Sequence, residues 1–300
     1  DYGSTLESLV ARRANGIPTN RLFVEKALED RRHIEVQYLV DGAGNIYCFG
    51  TRDCSEQRNF QKMIELAPAN ISPELERRLI EDGIKIISGL ISKSSDLAHA
   101  DGNFMLNPYK GAITVEYIVD SKGNHYFIET NGRYQVEAAV SIMSTGEDLV
   151  RYRWEVANGK SLKMEKGEHV KIFPVKYCVI ESRITAERYD SATGKFTPSP
   201  GLVTNAYFPS HPDLWVHSSL REGEEVPYQF DPHVASMIAR GRTMREAMEL
   251  LKDSLQSAHI AGIDMTVQYH IGRLNDALRN GATPSGTALS SLGLPGHAIR

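Results

Sequence analysis

The sequence has no apolar run approaching the roughly 18 residues of a membrane span, so it predicts no transmembrane helix. Its three cysteines, Cys48, Cys54 and Cys178, lack metal-type spacing, which disfavours a disulfide framework and favours a reducing, intracellular setting. A net charge of −4 and a pI of about 6.2 give no basic face for nucleic acid. The amino-terminal residues show neither the basic nor the apolar region of a signal peptide. We therefore expect neither a membrane nor a nucleic acid as a partner.

The composition is that of an ordinary globular protein, with 41% hydrophobic and 24% charged residues. At 300 residues the chain is long enough for one large or two moderate domains. No internal repeat and no low-complexity tract is visible.

Two β-hairpins are predicted from alternating apolar residues on either side of turns rich in Asp, Gly and Asn. The first has strands at 34–40 and 46–49, and the second has strands at 114–119 and 125–129. A further strand is expected at 22–26.

Three helices are predicted from caps and from apolar residues at helical spacing. They cover residues 5–15, residues 73 to about 87, and a segment capped by Thr243 whose apolar face is Met244, Ala247, Met248, Leu251 and Leu255. Residues 91–109 are polar and predicted to be an exposed loop. Helices mixed with antiparallel hairpins favour an α+β fold.

The densest group of reactive side chains is the run from Glu129 to Glu137. Alternate residues of an extended segment share one face, which would place five polar side chains together: Glu129, Asn131, Arg133, Gln135 and Glu137. Glu116 lies on the partner strand of the hairpin, and carboxylates with an amide oxygen suit Mg²⁺ bound to nucleotide phosphates. The alternative is a solvated strand face with cross-strand ion pairs; the mix of acidic, amide and guanidinium groups favours a site.

Two other polar segments have ordinary explanations when each is taken alone. The run Arg52–Lys62 is too polar for a core element and predicts a surface loop. The pair Glu25–Lys26 at a strand end is unremarkable, and an isolated His33 is more often structural or exposed than catalytic.

Taken together and in order, these segments resemble biotin carboxylase, the ATP-grasp component of biotin-dependent carboxylases. The resemblance rests on collinear matches over nearly the whole chain: Val24–Lys26, Arg32–Gln37, Arg52–Ser55, Gln57–Arg58, Gln61–Lys62, Glu65–Pro68, Gly111–Ala112, Thr114–Glu116, Glu129–Glu137, Glu181–Ile184, Pro198–Gly201 and the helix at 243–262. It implies half of an ATP-grasp fold with an antiparallel sheet at 1–168, followed by a biotin-carboxylase C-terminal α/β domain at 169–300.

For the nucleotide, the resemblance implies adenine contacts and a metal site. Glu25, Lys26 and Leu28 would meet the adenine, and His33 and Gln57 would lie near the ribose and phosphates. The ligands of Mg²⁺ or Mn²⁺ would be Glu116 and Glu129, with Asn131 beside them.

For the other substrates, the resemblance implies an anion site, a base and a biotin contact. Bicarbonate would be held by Lys62, Arg133, Gln135 and Val136. Glu137 would deprotonate bicarbonate, and Arg183 would stabilise the enolate-like form of biotin.

The sequence departs from the family pattern in several places. About 170 amino-terminal residues of the family, with two phosphate-binding lysines, have no counterpart here. Phe60 stands where the family usually has a histidine, 91–109 is longer than the usual link, and Ala138–Ala139 replaces a His-Pro pair. These departures favour the hypothesis that the chain alone does not turn over ATP.

Three functions remain open from the sequence. The first is a biotin carboxylase in an acyl-CoA, pyruvate or urea carboxylase, acting with a biotin carboxyl carrier and a carboxyltransferase, as a homodimer in the cytoplasm or an organelle matrix. Biotin must arrive on another chain or domain, because no Met-Lys attachment motif occurs here. The second is a non-catalytic scaffold or regulatory relative. The third is another ATP-grasp ligase, such as a carbamoyl-phosphate-synthetase-like enzyme, against which Arg183 and Pro198–Gly201 argue.

Overall fold

The computed structural model describes residue 28 and residues 30–100 and 109–286, with the backbone alone at 93–100. The chain divides into two units, Asp1–Asp30 and Arg31–Arg300. The helix expected at 5–15 and the strand expected at 22–26 lie outside the described residues. All of the described strands and helices belong to the second unit.

The described residues form an α+β fold, as predicted, in which runs of antiparallel strands are followed by helices. The strands are β1 (Arg32–Val40), β2 (Ile46–Arg58), β3 (Gln61–Ala67), β4 (Gly111–Val119), β5 (His125–Asn131), β6 (Val170–Ile172), β7 (Cys178–Thr185), β8 (Glu187–Asp190), β9 (Lys195–Pro198), β10 (Gly201–Leu202), β11 (Asn205–Tyr207), β12 (Leu214–Ser218), β13 (Glu225–Val226), β14 (His233–Gly241) and β15 (His259–Ala261). The helices are α1 (Pro73–Ala100), α2 (Ala138–Thr145), α3 (Leu149–Ala157), α4 (Met244–Ser257) and α5 (Val267–Arg279). None of the helices in this described part is both long enough and apolar enough to cross a membrane.

Nine of the described strands form one sheet, in the order β12–β14–β7–β3–β2–β1–β4–β5, with β6 added beside β2. Every neighbouring pair on that path is antiparallel, and only β6 runs parallel to its partner β2. Strands from both sides of residue 168 share this sheet. The sheet therefore holds residues distant in sequence in one frame, and the division into domains at residue 168 stays a prediction.

Strand β1 shows how the sheet separates its core from its polar face. Ile34, Val36 and Tyr38 are fully buried and pack in the same cluster as Leu79 of α1. Burying a large apolar side chain stabilises a fold by roughly 1.5–3 kcal/mol. Because side chains alternate along a strand, Glu35 must lie on the opposite face.

Helix α1 approaches the sheet closely at Gly83. The Tyr38 hydroxyl donates a hydrogen bond to the Ile80 carbonyl at 2.9 Å. A Cβ atom at Gly83 would lie 2.2 Å from that hydroxyl, so only glycine allows the tyrosine to reach the helix backbone.

Both predicted hairpins are confirmed, and their turns use the same chemistry. Asp41 Oδ1 accepts hydrogen bonds from the backbone N–H groups of Ala43 and Asn45 at 2.9 and 3.0 Å. Asp120 does the same for two backbone N–H groups of the second turn at 3.0 and 2.9 Å. The aspartate thus replaces backbone partners that a short turn cannot supply.

The predicted helix after Thr243 is confirmed as α4. The Thr243 hydroxyl accepts a hydrogen bond from the Glu246 N–H at 3.2 Å, and the Glu246 carboxylate accepts one from the Arg242 N–H at 2.8 Å. The buried face of α4 contains every apolar residue predicted for it.

One loop prediction is wrong, and a second is wrong over its first ten residues. Residues 52–62 are not a surface loop: β2 continues to Arg58, Asn59 and Phe60 form the turn, and β3 begins at Gln61. These polar residues belong to strands because they pair with one another inside the sheet. Of the predicted loop 91–109, residues 91–100 continue α1, and 101–108 lie outside the described part.

Candidate functional site

Strand register aligns four charged residues across the polar face of the sheet. Arg52 on β2 pairs with Glu35 on β1, Glu35 pairs with Glu116 on β4, and Glu116 pairs with Glu129 on β5. Residues directly opposite in an antiparallel pair share one face, so this row is a consequence of register. The candidate site lies along this row and extends over β3, β7 and the start of α2.

Two carboxylates and an amide converge at the β4–β5 end of the row, where the sequence predicts a metal site. The Asn131 side-chain amide donates to Glu116 Oε1 at 2.6 Å and to Glu129 Oε1 at 2.9 Å. Glu116 is buried, whereas Glu129 is exposed. Carboxylate oxygens are ligands that Mg²⁺ prefers, so Glu116 and Glu129 fit such an ion, whereas Asn131 directs its amide nitrogen at both carboxylates.

His33 and Gln57 orient Glu116. His33 Nε2 lies 2.7 Å from Glu116 Oε2, and Gln57 Nε2 lies 2.8 Å from His33 Nδ1. Burial opposes ionisation of Glu116, but the His33 hydrogen bond and the Lys62 charge outweigh it and lower its pKa to about 2. The carboxylate is therefore ionised and fixed before any ligand arrives.

Lys62 joins the carboxylates of the site. Its Nζ donates to Glu137 Oε1 at 2.6 Å, pairs with Glu35 Oε1, and lies 3.6 Å from Glu116 Oε1. Gln135 is buried and its Nε2 donates to Glu116 Oε1 at 2.9 Å. The structure thus brings together two of the four residues predicted to hold bicarbonate.

The other two, Arg133 and Val136, are exposed to solvent. The only hydrogen bond of the Arg133 guanidinium within the described residues goes to the Tyr134 carbonyl at 3.5 Å. The extended conformation expected over 129–137 ends early, because β5 stops at Asn131 and α2 begins at Ala138. The chain turns so that Gln135 and Glu137 point inward while Arg133 remains on the surface.

Glu137 lies at the N-cap position of α2, yet its side chain makes no capping hydrogen bond. Its Oε1 accepts from Lys62 and its Oε2 accepts from Arg183 NH2 at 2.8 Å. Burial opposes ionisation, but Lys62, Arg52 and Arg183 outweigh it and lower the pKa of Glu137 to about 2. The carboxylate is ionised at neutral pH and can accept a proton once these cations are shared with an anion.

Arg183 is held from behind by buried carboxylates. Its Nε pairs with Glu65, which lies directly opposite Glu181 on the paired strands β3 and β7. Both glutamates are fully buried. Burial, followed by the charge of Glu65, raises the pKa of Glu181 to about 8, and burial also raises the pKa of Glu65 despite its pairing with Arg183.

Sequence reasoning missed four charged residues of the site: Glu35, Arg52, Glu65 and Glu181. A signal for Glu35 was present, because β1 alternates polar with apolar residues around it. Arg52 and Glu65 carried no such signal, since a polar run beside a predicted strand favours a loop.

Three predicted nucleotide contacts belong to the first unit. Glu25 and Lys26 lie outside the described residues, and Leu28 is half-buried in the unit Asp1–Asp30. Phe60 lies at the tip of the β2–β3 hairpin and is 89% exposed. Their predicted roles stay predictions.

Comparisons with known proteins add to this geometry. Residues 4–165 match the family described as carbamoyl-phosphate synthase L chain, ATP binding domain, and residues 181–284 match the biotin carboxylase C-terminal domain. The chain is 34% identical over 270 residues to the biotin-dependent acyl-coenzyme A carboxylase alpha3 subunit of Mycobacterium leprae (strain TN), covering 90% of this chain and 41% of that protein. It is 36% identical over 251 residues to biotin carboxylase 1 of Bacillus subtilis (strain 168), covering 83% and 51%.

A solved structure gives the same likeness. The biotin carboxylase domain dimer of the Hydrogenobacter thermophilus 2-oxoglutarate carboxylase, in complex with MgADP, ADP and bicarbonate, matches with a TM-score of 0.73 and 31% identity. The match covers 86% of this chain and 52% of that one. The chain thus spans about half the length of these relatives, or less.

Proposed function

Because the chain belongs to the biotin carboxylase family of ATP-grasp proteins, we propose that it carboxylates biotin with ATP and bicarbonate. The observation that carries the proposal is the position of Glu137, an ionised carboxylate between Lys62 and Arg183. It combines a proton acceptor with two cations beside the metal-type cluster of Glu116 and Glu129. A site of this composition suits a reaction in which two anions meet.

In this proposal the β4–β5 end of the row holds the nucleotide phosphates. Glu116 and Glu129 would bind Mg²⁺ or Mn²⁺ with Asn131 beside them, and the ion would neutralise phosphate charge when bound. His33 and Gln57 fix Glu116 in place and would lie near the ribose and phosphates. Glu25, Lys26 and Leu28 would contact the adenine.

Bicarbonate would lie against Lys62 and Gln135, with Arg133 and Val136 closing over it. The anion takes up part of the Lys62 charge, which makes Glu137 more basic. Glu137 then accepts the bicarbonate proton while the freed oxygen attacks the γ-phosphorus and ADP leaves. Each of these steps is assisted by a cation placed where negative charge develops.

Arg183 would act in the second half of the reaction. It donates to Glu137 Oε2, whereas Lys62 binds Oε1, and its Nε is anchored by Glu65. The carboxyphosphate formed in the first half would break down to carbon dioxide and phosphate, and the phosphate would accept the proton of the ureido N–H. A guanidinium held in this way can stabilise the oxyanion of the enolate-like biotin as its ureido nitrogen attacks carbon dioxide.

The partners follow from the same proposal. One relative named above is a subunit of a biotin-dependent carboxylase, and the solved structure is a dimer of a carboxylase domain. We propose a separate biotin carrier, a carboxyltransferase and a second copy of this chain as partners. Three buried free cysteines suit the cytoplasm or an organelle matrix.

Glu137→Gln tests the proposal in the intact protein. Loss of the proton acceptor should lower ATP- and bicarbonate-dependent carboxylation of biotin by about 100-fold or more. The matched control is Glu74→Gln on the exposed surface of α1, which should keep wild-type turnover. Carboxylation by Glu137→Gln at the wild-type rate would refute the assignment.

A non-catalytic scaffold is the second candidate, and Phe60 favours it. Its ring can neither donate nor accept a hydrogen bond at a hairpin tip next to the site. Wild-type protein that folds but shows no turnover with biotin, ATP and bicarbonate would support this candidate. The match of residues 181–284 to the biotin carboxylase C-terminal domain favours both candidates over a carbamoyl-phosphate-synthetase-like ligase.

A further inference from the structure

Arg52 is a buried guanidinium in which all five N–H donors have acceptors. Its Nε and NH2 donate to Glu35 Oε2 at 3.3 and 2.9 Å, and NH2 also donates to Gln135 Oε1 at 3.1 Å. Its NH1 donates to Gln37 Oε1 at 3.0 Å and to Ser141 Oγ at 2.9 Å. The side chain has zero solvent exposure. The partners come from β1, from α2 and from the segment before α2.

Burying the Arg52 charge costs free energy of desolvation, which indicates a role other than stabilising the fold. Removing a charge from water costs several kcal/mol, and a buried ion pair is often no better than apolar residues of the same volume. Only one of the four partners of Arg52 is a carboxylate. Aliphatic side chains in place of Arg52 and Glu35 would stabilise the sheet with a smaller free energy of desolvation.

The two main partners of Arg52 each reach a different part of the site. Glu35 uses its other oxygen, Oε1, to pair with Lys62. Gln135 uses its amide nitrogen to donate to Glu116 while its oxygen accepts from Arg52. One planar group thus sets the separation between the ammonium of Lys62 and the carboxylate of Glu116.

We propose that Arg52 is the positioning residue of the site, fixing Lys62 through Glu35 and Glu116 through Gln135. The assignment of Lys62 to an anion and of Glu116 to a metal ion rests on the proposed function, whereas the contacts of Arg52 do not. Arg52 itself donates to neither Lys62 nor Glu116, and it reaches them only through Glu35 and Gln135. Arg52 sets the positions of Lys62 and Glu116, and its charge also lowers the pKa of Glu137.

Arginine is required because the geometry needs a planar fork. Lysine carries the same charge, but its three donors diverge from one nitrogen and cannot reach four acceptors on three sides. Arg52→Lys therefore separates the loss of geometry from the loss of charge. Arg52→Gln removes the charge as well. Arg32→Lys is the matched control, since Arg32 lies on β1 of the same sheet and donates to Asp53 of β2 and to the Asn70 carbonyl after β3.

The first measurement needs no substrate. In protein labelled with carbon-13 at glutamate carboxyls, Glu35 and Glu137 are identified from the signals missing in Glu35→Gln and Glu137→Gln. Arg52→Lys should move the Glu35 signal, and Arg32→Lys should leave it in place. Arg52→Gln should raise the pKa of Glu137 by about one unit or more, because one of the cations facing it is gone. The titratable groups near Glu137 are Lys62, Arg52, Arg183, Glu35, Glu65, Glu181 and Cys54.

The second measurement is kinetic. Arg52→Lys should lower kcat by about 10- to 100-fold, the usual effect of removing a group that orients catalytic residues. Arg32→Lys should keep the wild-type kcat, and thermal unfolding checks that each variant is folded. Arg52→Lys with an unmoved Glu35 signal, or with wild-type kcat, would overturn the inference. Wild-type protein without turnover would refute the proposed function alone, and the Glu35 signal would then decide the role of Arg52.

Discussion

At the scale of single residues, the site is governed by which carboxylates are ionised. Glu116 and Glu137 lie beside Lys62 and have pKa values near 2, whereas Glu181 lies beside Glu65 and has a pKa near 8. Burial raises the pKa of each of them. For Glu116 and Glu137 the neighbouring cations and hydrogen bonds outweigh burial, whereas for Glu181 the charge of Glu65 adds to it.

The raised pKa of Glu181 predicts a pH-dependent stability. In the unfolded chain the Glu181 carboxyl ionises at about pH 4.3, whereas in the folded protein it stays protonated up to about pH 8. Between these values the folded state binds more protons, so the free energy of unfolding falls as the pH rises. Glutamine mimics the neutral form, so Glu181→Gln should be more stable than wild type at pH 8, by about 1–3 kcal/mol.

Urea unfolding at pH 5, 6, 7 and 8 measures this difference. It should be small at pH 5 and grow towards pH 8. Glu249→Gln, an exposed change on α4, should show no such trend. A difference between Glu181→Gln and wild type that is constant with pH would contradict the assignment of a neutral Glu181.

At the scale of elements, the β2–β3 hairpin has a strained turn. Asn59 and Phe60 both have positive φ, 49° and 67°. Two central residues of this kind match the right-handed twist of the strands, but a bulky side chain there costs roughly 1–2 kcal/mol. The Phe60 ring is exposed and offsets little of that cost by packing.

Phe60→Gly should therefore stabilise the protein by about 1 kcal/mol, since glycine adopts positive φ without strain. Phe60→Ala is the control, because it removes the ring and retains the strain. Thermal unfolding of the two variants measures the difference. Equal melting temperatures would show that the turn is not strained.

At the scale of the whole molecule, the end of β2 is tied to the carboxyl-terminal segment. Glu56 accepts hydrogen bonds from Arg273 Nε and NH2, both at 2.8 Å, and from the Tyr269 hydroxyl at 2.6 Å. Arg58 donates twice from NH2 to Glu187, at 2.9 and 2.8 Å. These contacts join residues more than 120 positions apart, and they tie β2 to β8 and to α5.

Glu56→Gln should loosen α5 from the sheet. The amide keeps one acceptor but loses the charge that pairs with Arg273, so we expect a loss of about 1–3 kcal/mol. Hydrogen exchange should become faster in α5, while α1 remains unchanged. Asp276→Asn, which removes an exposed partner of Arg279 on the same helix, is the control. Unchanged exchange in α5 would contradict the role of Glu56.

The sequence by itself determined the local elements whose signals lie in adjacent residues. The two hairpins follow from aspartates that bind turn backbone, and α4 follows from Thr243 and a face of five apolar residues. The convergence of Glu116, Glu129 and Asn131 was also predictable, because hairpin register places opposite residues on one face. Resemblance to biotin carboxylases, carried by collinear motifs, gave the family.

Only the tertiary structure decided which charges are buried and what they pair with. Arg52 begins a polar run that predicts a surface loop. In the structure it is a core residue, because partners from distant segments accept hydrogen bonds from all its donors. The opposition of Glu65 and Glu181 depends on pairing between β3 and β7, which are more than 110 residues apart. Local patterns report propensity and periodicity, whereas the protonation and position of a buried charge depend on neighbours that only the folded chain supplies.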